Sequence, residues 1–178
     1  SRSHEYVAKE VEAVRGSVGA SEVANFANHK FTGKGAKAFL NKVLAGRIPG
    51  PGRVNLTPML LESGKLNGDL TVACIDEETF YLFGSSVAQN MHLRWFEKHL
   101  EGVQDVVYKN MTDDFHGIAI SGPNSQELLS RLSREDVRSE AFKFRDIKDT
   151  FIGGVPALCA RISFTGELGY EIYVAPQY

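Results

Sequence analysis

Apolar positions along the chain change their period several times, and each change marks a predicted element. Val7, Val11 and Val14 stand at i, i+4 and i+7, the spacing of one helical face, which predicts a helix from about Ser3 to Val14. "VANFANHKFTG" alternates weakly and ends at Gly33, and "KGAKAFLNKVL" then places Ala36, Phe39, Leu40, Val43 and Leu44 at helical spacing. A strand leading into a helix is the expected unit. "AGRIPGPGR" is too rich in glycine and proline for either regular period. Beyond it "VNLTPMLL", "LNGDLTVACI" and "TFYLFG", separated by "ESGK" and "DEE", predict a three-stranded meander.

The next segment, "SSVAQNMHLRWFEKHLEG", opens with Ser86 three residues before Gln89, the spacing of a capping box, and stops at Gly102, so it predicts a capped helix around Trp95. "VVYKNMT" and "FHGIAISG" read as strands, and "PNSQELLSRL" as a helix with Pro123 at its first position. "VPALCARISF" and "GYEIYV" close the chain as strands around "TGEL". The order strand, Ser/Thr-Gly, helix, hairpin occurs at "FTGKGAKAFLNKVL" and again at "ISGPNSQELLSRLS", predicting similar α+β halves in tandem. The expected division is 1–50 for the N-terminal helix and first strand–helix unit, 51–112 for the meander and Trp95 helix, and 113–178 for the second strand–helix–hairpin half, all in one domain.

Composition narrows the partners. A chain of 178 residues with 43% hydrophobic content can bury a sizeable core, about two-thirds of its unfolded surface at this size. Its 20 basic and 22 acidic residues are interspersed, so no basic face exists for nucleic acid or anionic lipid, and small molecules or proteins are the expected partners. No apolar run reaches the roughly 18 residues of a membrane span. The start, "SRSHEYVAKEVEAVRG", reads as neither signal nor transit peptide, so no targeting segment is expected; cytoplasm or mitochondrial matrix is the expected location. Cys74 and Cys159 sit inside apolar runs and read as packed thiols, with a long-range disulfide between them left open.

Several motifs fail on their context. Gly33, Gly35 and Ala38 match a dinucleotide fingerprint, but the acidic residue needed about 20 positions on is missing from "PGRVNLTPM". The chain is also too short to hold a full flavin domain. His4, His29, His92, His99 and His116 are scattered without ligand spacing, so no metal is expected, and no G-x-S-x-G elbow occurs.

Two carboxylates stand out. Asp69 follows Asn67 and Gly68, a pair that favours a bulge at the start of a strand and so can re-aim a side chain, although the commoner role of such an acid is a solvated group beside a turn. Glu171 shares one face of "YEIYV" with Tyr173, opposite Tyr170, Ile172 and Val174, and on a one-sided sheet it would simply face water. Phe164 and Glu167 flank the glycine turn before it, an arrangement that lets a flat ring lie on Phe164 while a carboxylate reaches its edge.

These residues carry a resemblance. "ISFTGELGYEIYV" resembles the signature strand pair of the folate-binding aminomethyltransferase (glycine-cleavage T-protein) superfamily, and its "GEL-G-aromatic-E" form is similar to the dimethylglycine/sarcosine dehydrogenase-like branch. "MLLESGKLNGDLTV", "FYLFGSSVAQNMHLRWFEKHL" and "MTDDFHGIAISGPNSQELLSRLSREDVRSEAFKFRDI" resemble that branch in the same order, from about Tyr6 to Val174. The resemblance implies an α+β, tandem ferredoxin-like, T-protein-type folate-binding domain with antiparallel sheets and packed helices. It implies tetrahydrofolate as the cofactor and a small N-methyl amine as donor, giving 5,10-methylenetetrahydrofolate, with FAD confined to a flavin domain outside this chain. By position, Asp69 matches the family's catalytic aspartate, Glu171 the glutamate that pairs with the pterin, and Phe164 a tyrosine beside the folate whose hydroxyl is lost here. Gly68, Leu168 and Leu56 depart from the wider family's aspartate, aspartate and tyrosine. The family's N-terminal segment, C-terminal helix, barrel and folate-side arginine are not matched, so a fragment of a longer polypeptide is expected. Two other readings stay open: a non-catalytic regulatory or interaction module of the same architecture, and a folate-dependent demethylase of a sulfonium compound.

Overall fold

The computed structural model describes residues 2–23 and 26–178. Contacts divide the chain into two units, Ser1–Ala24 with His116–Tyr178, and Asn25–Phe115. It is an α+β fold in which all sheet pairs are antiparallel.

In the unit Asn25–Phe115 the chain runs β2 (Ala27–Thr32), α2 (Ala36–Val43), β3 (Arg53–Leu60), β4 (Leu66–Cys74), β5 (Thr79–Gly84), a 3-10 turn (Ser86–Ala88), α3 (Gln89–Leu100) and β6 (Val107–Asn110). The other unit holds α1 (Arg2–Gly16), β1 (Gly19–Glu22), β7 (His116–Ser121), α4 (Ser125–Leu132), β8 (Ile147–Ile152), β9 (Val155–Ala160) and β10 (Gly169–Val174). Their five-stranded sheets are ordered β3-β4-β5-β2-β6 and β8-β9-β10-β7-β1. Each therefore has one topology: a strand, a helix, then a meander whose last strand returns beside the first.

The Ser/Thr-Gly step is the joint of both copies. Gly33 and Gly122 lie at φ +116 and +128, and a Cβ there would come within 2.2 Å of the Asp105 carbonyl and 2.4 Å of the Ser17 carbonyl respectively. Only glycine combines that backbone angle with that approach. Gly33 N–H donates to the Glu78 carbonyl just before β5, and Gly122 N–H to the Leu168 carbonyl just before β10. Close backbone packing thus accounts for the glycines of "TGKGAKA", which nucleotide binding did not.

The predicted face of α2 is buried as expected. Phe39, Leu40 and Val43 pack with Phe31, Leu70 and Phe80 in one core; Leu129 packs with Ile120, Phe142, Cys159, Tyr170 and Ile172 in the other. The predicted meander is β3-β4-β5, and Pro58 is tolerated inside β3 because that strand lies at the sheet edge, where a missing N–H breaks no ladder.

Two local expectations are corrected, and two features go beyond what the pattern predicts. The helix α1 forms, but it contains no buried residue, and Val7 and Val11 remain exposed. Ser86 does not cap the Trp95 helix: it opens the 3-10 turn, and α3 starts at Gln89 after Ala88 with no side-chain cap. Pro123 lies before the N-cap Asn124 of α4 rather than at its first position. Edge strands β1 and β8 are additional to the elements read from the pattern; "GASE" has no apolar alternation, and "IKDTFI" is mostly half-exposed.

Candidate functional site

The expected bulge exists. Met59 of β3 faces Gly68 and Leu60 faces Leu66, so Asn67 is the extra residue on β4. Gly68 takes φ +146 and Asp69 follows opposite Pro58 with its side chain exposed. Leu70, the next residue, is fully buried in the core. The bulge therefore delivers a carboxylate to solvent one residue away from a core leucine.

Beneath the bulge lies a residue that sequence reasoning set aside. A Cβ on Gly68 would come within 2.5 Å of His92 Nε2. His92 is 1% exposed, and neither ring nitrogen has a hydrogen-bond partner among the described residues. Burial pushes its pKa below the usual histidine value, while the Asn67 backbone and the Asp69 charge oppose that shift. Behind it His29, fully buried, makes a 2.8 Å Nδ1···Oη hydrogen bond with Tyr108. Burial, then the neighbouring His92, lowers the pKa of His29 to about 4. Both imidazoles are consequently neutral at physiological pH. The signal in the sequence was His92 and Phe96 four apart on one face of α3, opposite glycines at 68 and 84.

Glu171 lies in the other unit, in the middle of β10, paired with Ala119 of β7 and Ala160 of β9. Its face of the sheet is not simply solvent-facing: Tyr173 and Leu158 are 2% and 4% exposed there. This corrects the one-sided reading. Glu171 is half-buried, and Tyr173 Oη donates to its Oε2 at 2.5 Å. Burial raises the Glu171 pKa above the ordinary carboxylate value, and the Tyr173 hydrogen bond partly counters it. Tyr173 was placed on this face by strand alternation but not recognised as a partner.

The loop before β10 is pinned at one carbonyl. Leu168 accepts from Gly122 N–H at 2.8 Å and from Ser125 Oγ at 3.0 Å, which fixes the entry into Gly169. Upstream, Gly166 turns the chain at φ +85, Glu167 lies 4.0 Å from the Arg15 guanidinium, and Phe164 is 96% exposed. Phe164 and Glu171 thus belong to one unit and Asp69 to the other. Cys74 and Cys159 are buried free thiols whose pKa values burial raises to about 11 and about 12, which keeps them protonated and unreactive. Among the described residues no cluster of histidine, cysteine and carboxylate could hold a metal ion, and no helix is long and apolar enough to cross a membrane.

Comparison with known proteins agrees with this fold. Dimethylglycine dehydrogenase of Mus musculus is 34% identical over 170 residues, covering 95% of this chain and 20% of that protein. An aminomethyltransferase of Natranaerobius thermophilus is 32% identical over 169 residues, covering 93% of this chain and 45% of the relative. The chain therefore spans between a fifth and a half of these relatives. Among solved structures, the glycine cleavage system aminomethyltransferase T from Bartonella henselae superposes with a TM-score of 0.81 at 19% identity, over 94% of this chain and 44% of that one. Heterotetrameric sarcosine oxidase from Corynebacterium sp. U-96 gives 0.70 at 18% identity, over 97% of this chain and 84% of that one. The T-protein fold is common to both. Since the family model described as "GCVT N-terminal domain" matches residues 1–178, the chain belongs to the GCVT N-terminal domain family.

Proposed function

We propose that this chain is the tetrahydrofolate-binding domain of an aminomethyltransferase-type enzyme that accepts a one-carbon unit from a small N-methyl amine, within a dimethylglycine or sarcosine dehydrogenase-like protein. The observation that carries this reading is Glu171, a half-buried carboxylate between two alanines with one oxygen engaged by Tyr173. The 2-amino group and adjacent ring N–H of a pterin are paired donors, and a partly desolvated carboxylate is a strong acceptor for them. Ala119 and Ala160 leave its flanks on the adjacent strands free of bulk.

When bound, tetrahydrofolate supplies the nitrogens that take up the one-carbon unit. Glu171 would hold the pterin edge, and the exposed Phe164 ring offers a face for stacking. Asp69, delivered outward by the Asn67 bulge, would accept a hydrogen bond from the reacting amine and orient it, so the contribution of the chain is mainly proximity. A flavin domain of the same polypeptide is the proposed partner, and cytoplasm or mitochondrial matrix the proposed location.

The test is calorimetric titration with 5-formyltetrahydrofolate. Wild type should bind, Glu171→Gln should lose about 1.5 to 3 kcal/mol, and Asp69→Asn should bind normally while losing one-carbon transfer. Equal affinity in wild type and Glu171→Gln removes the pterin role. A second reading, an interaction module of the same architecture, draws on the uncovered apolar face of α1. It predicts no folate binding by the full-length polypeptide.

A further inference from the structure

The hydroxyl nearest the Glu171 carboxylate belongs to the same strand. Residues two apart on a strand point to the same side, and Tyr173 Oη reaches Glu171 Oε2 at 2.5 Å. The phenol is 2% exposed, so its donor is oriented by packing rather than by solvent. Oε1 receives no protein donor among the described residues. We propose that Tyr173 is a positioning residue that fixes the Glu171 carboxylate in its ionised, acceptor-only form, with one lone pair of Oε2 taken by the phenol and the remaining lone pairs of both oxygens presented to a ligand bearing paired N–H donors.

This deepens the folate reading and rests on it for the ligand. A carboxyl group can serve paired N–H donors only when ionised, because its protonated form places a donor against a donor. Partial burial works against ionisation, and the phenol works for it. The groups facing Glu171 from its neighbours are neutral: Ala119 from β7 and Ala160 from β9, with Leu158 beside Tyr173. No charged side chain contributes to the Glu171 shift. Tyr173 itself cannot compete as an acid, since burial first, and the Glu171 charge after it, drive its pKa well upward. The phenol therefore remains a donor over the working pH range.

The experiment reads the carboxyl directly. With 13C-labelled glutamate, the Glu171 side-chain signal is assigned by its loss in Glu171→Gln, and its titration midpoint is followed in wild type, in Tyr173→Phe and in protein carrying 3-fluorotyrosine at position 173. Removing the hydroxyl should shift the midpoint upward. Fluorination makes the phenol a stronger donor and should shift it downward, so the two changes have opposite signs and the second leaves the ring in place if Tyr173→Phe folds poorly. In parallel, 5-formyltetrahydrofolate affinity of Tyr173→Phe should fall most on the acidic side and recover as pH rises. A midpoint that moves with neither change overturns the proposal. Moving midpoints in a protein that binds no folate would leave the Tyr173–Glu171 coupling standing and remove the folate reading instead.

Discussion

Gly68→Ala isolates the physics of the bulge that carries Asp69. The added methyl meets two separate costs. At φ +146 any Cβ is strained, worth about 1–2 kcal/mol. It would also lie 2.5 Å from His92 Nε2, and the ring is 1% exposed with little room to retreat. Forcing a buried side chain to shift adds about 1–3 kcal/mol. The expected loss is therefore about 2–5 kcal/mol, read as a lowered urea midpoint at unchanged m-value. Gly64→Ala is the control, since Gly64 also has positive φ, +76, but a Cβ there meets nothing within 4 Å. It should show the cost of a positive φ without a steric contact, a lower bound for the backbone cost at Gly68. In a His92→Ala background, Gly68→Ala should keep only the backbone cost of its own φ and lose the steric part. If Gly68→Ala costs no more than Gly64→Ala, or if removing the ring brings no relief, His92 does not support the bulge and the account of Asp69's placement fails. On the proposed function, the same substitution should cut one-carbon transfer more than folate affinity.

Stability should fall in acid through His29. Its folded pKa of about 4 lies below the ordinary 6.5, so the unfolded chain binds more protons between those values; the stabilisation is complete above pH 6.5 and is lost as pH falls toward 4. The span corresponds to about 3 kcal/mol, visible as the difference in urea midpoint between pH 7.5 and 4.5, and it should flatten in His29→Gln. Ser125→Ala removes the buried hydroxyl that donates to the Leu168 carbonyl, so it should cost about 1 kcal/mol and raise amide exchange at Gly169 and Tyr170. A normal exchange rate there would show that the Gly122 N–H alone pins the loop.

Most of the architecture was legible because periodic apolar spacing reports burial. The faces Ala36, Phe39, Leu40, Val43 and the meander strands were visible in that pattern, and the doubled Ser/Thr-Gly step matches the doubled sheet topology. What failed lacks periodicity. The short edge strand Gly19–Glu22 buries no side chain, and Ser86, with the right residue three positions later, begins a 3-10 turn instead of capping a helix. At α1 the spacing correctly identified a helix, although Val7 and Val11 are exposed. At the site, Asn67-Gly68 announced the bulge because glycine's backbone freedom is a local property. The packing of His92 under the bulge and the Tyr173–Glu171 hydrogen bond were not recognisable, since they depend on which buried atoms meet in the folded chain.

The two carboxylates differ because register treats them differently. Asp69 pairs with Pro58 on one side, but the β4–β5 ladder begins only at Leu70 opposite Gly84, so among the described residues no strand flanks Asp69 on its other side. Glu171 is paired on both sides, with Ala119 and Ala160, and its strand is the centre of its five-stranded sheet. A carboxylate at the open end of a ladder stays hydrated and open to an approaching reactant. One held in mid-sheet with a fixed phenol donor has little freedom to follow a changing reactant, but it presents a constant acceptor for recognition. On the proposed function, this difference in pairing supports placing Asp69 at the reacting amine and Glu171 at the invariant edge of the ligand. That placement would be reversed only if the Asp69 end of β4 were the more desolvated of the two.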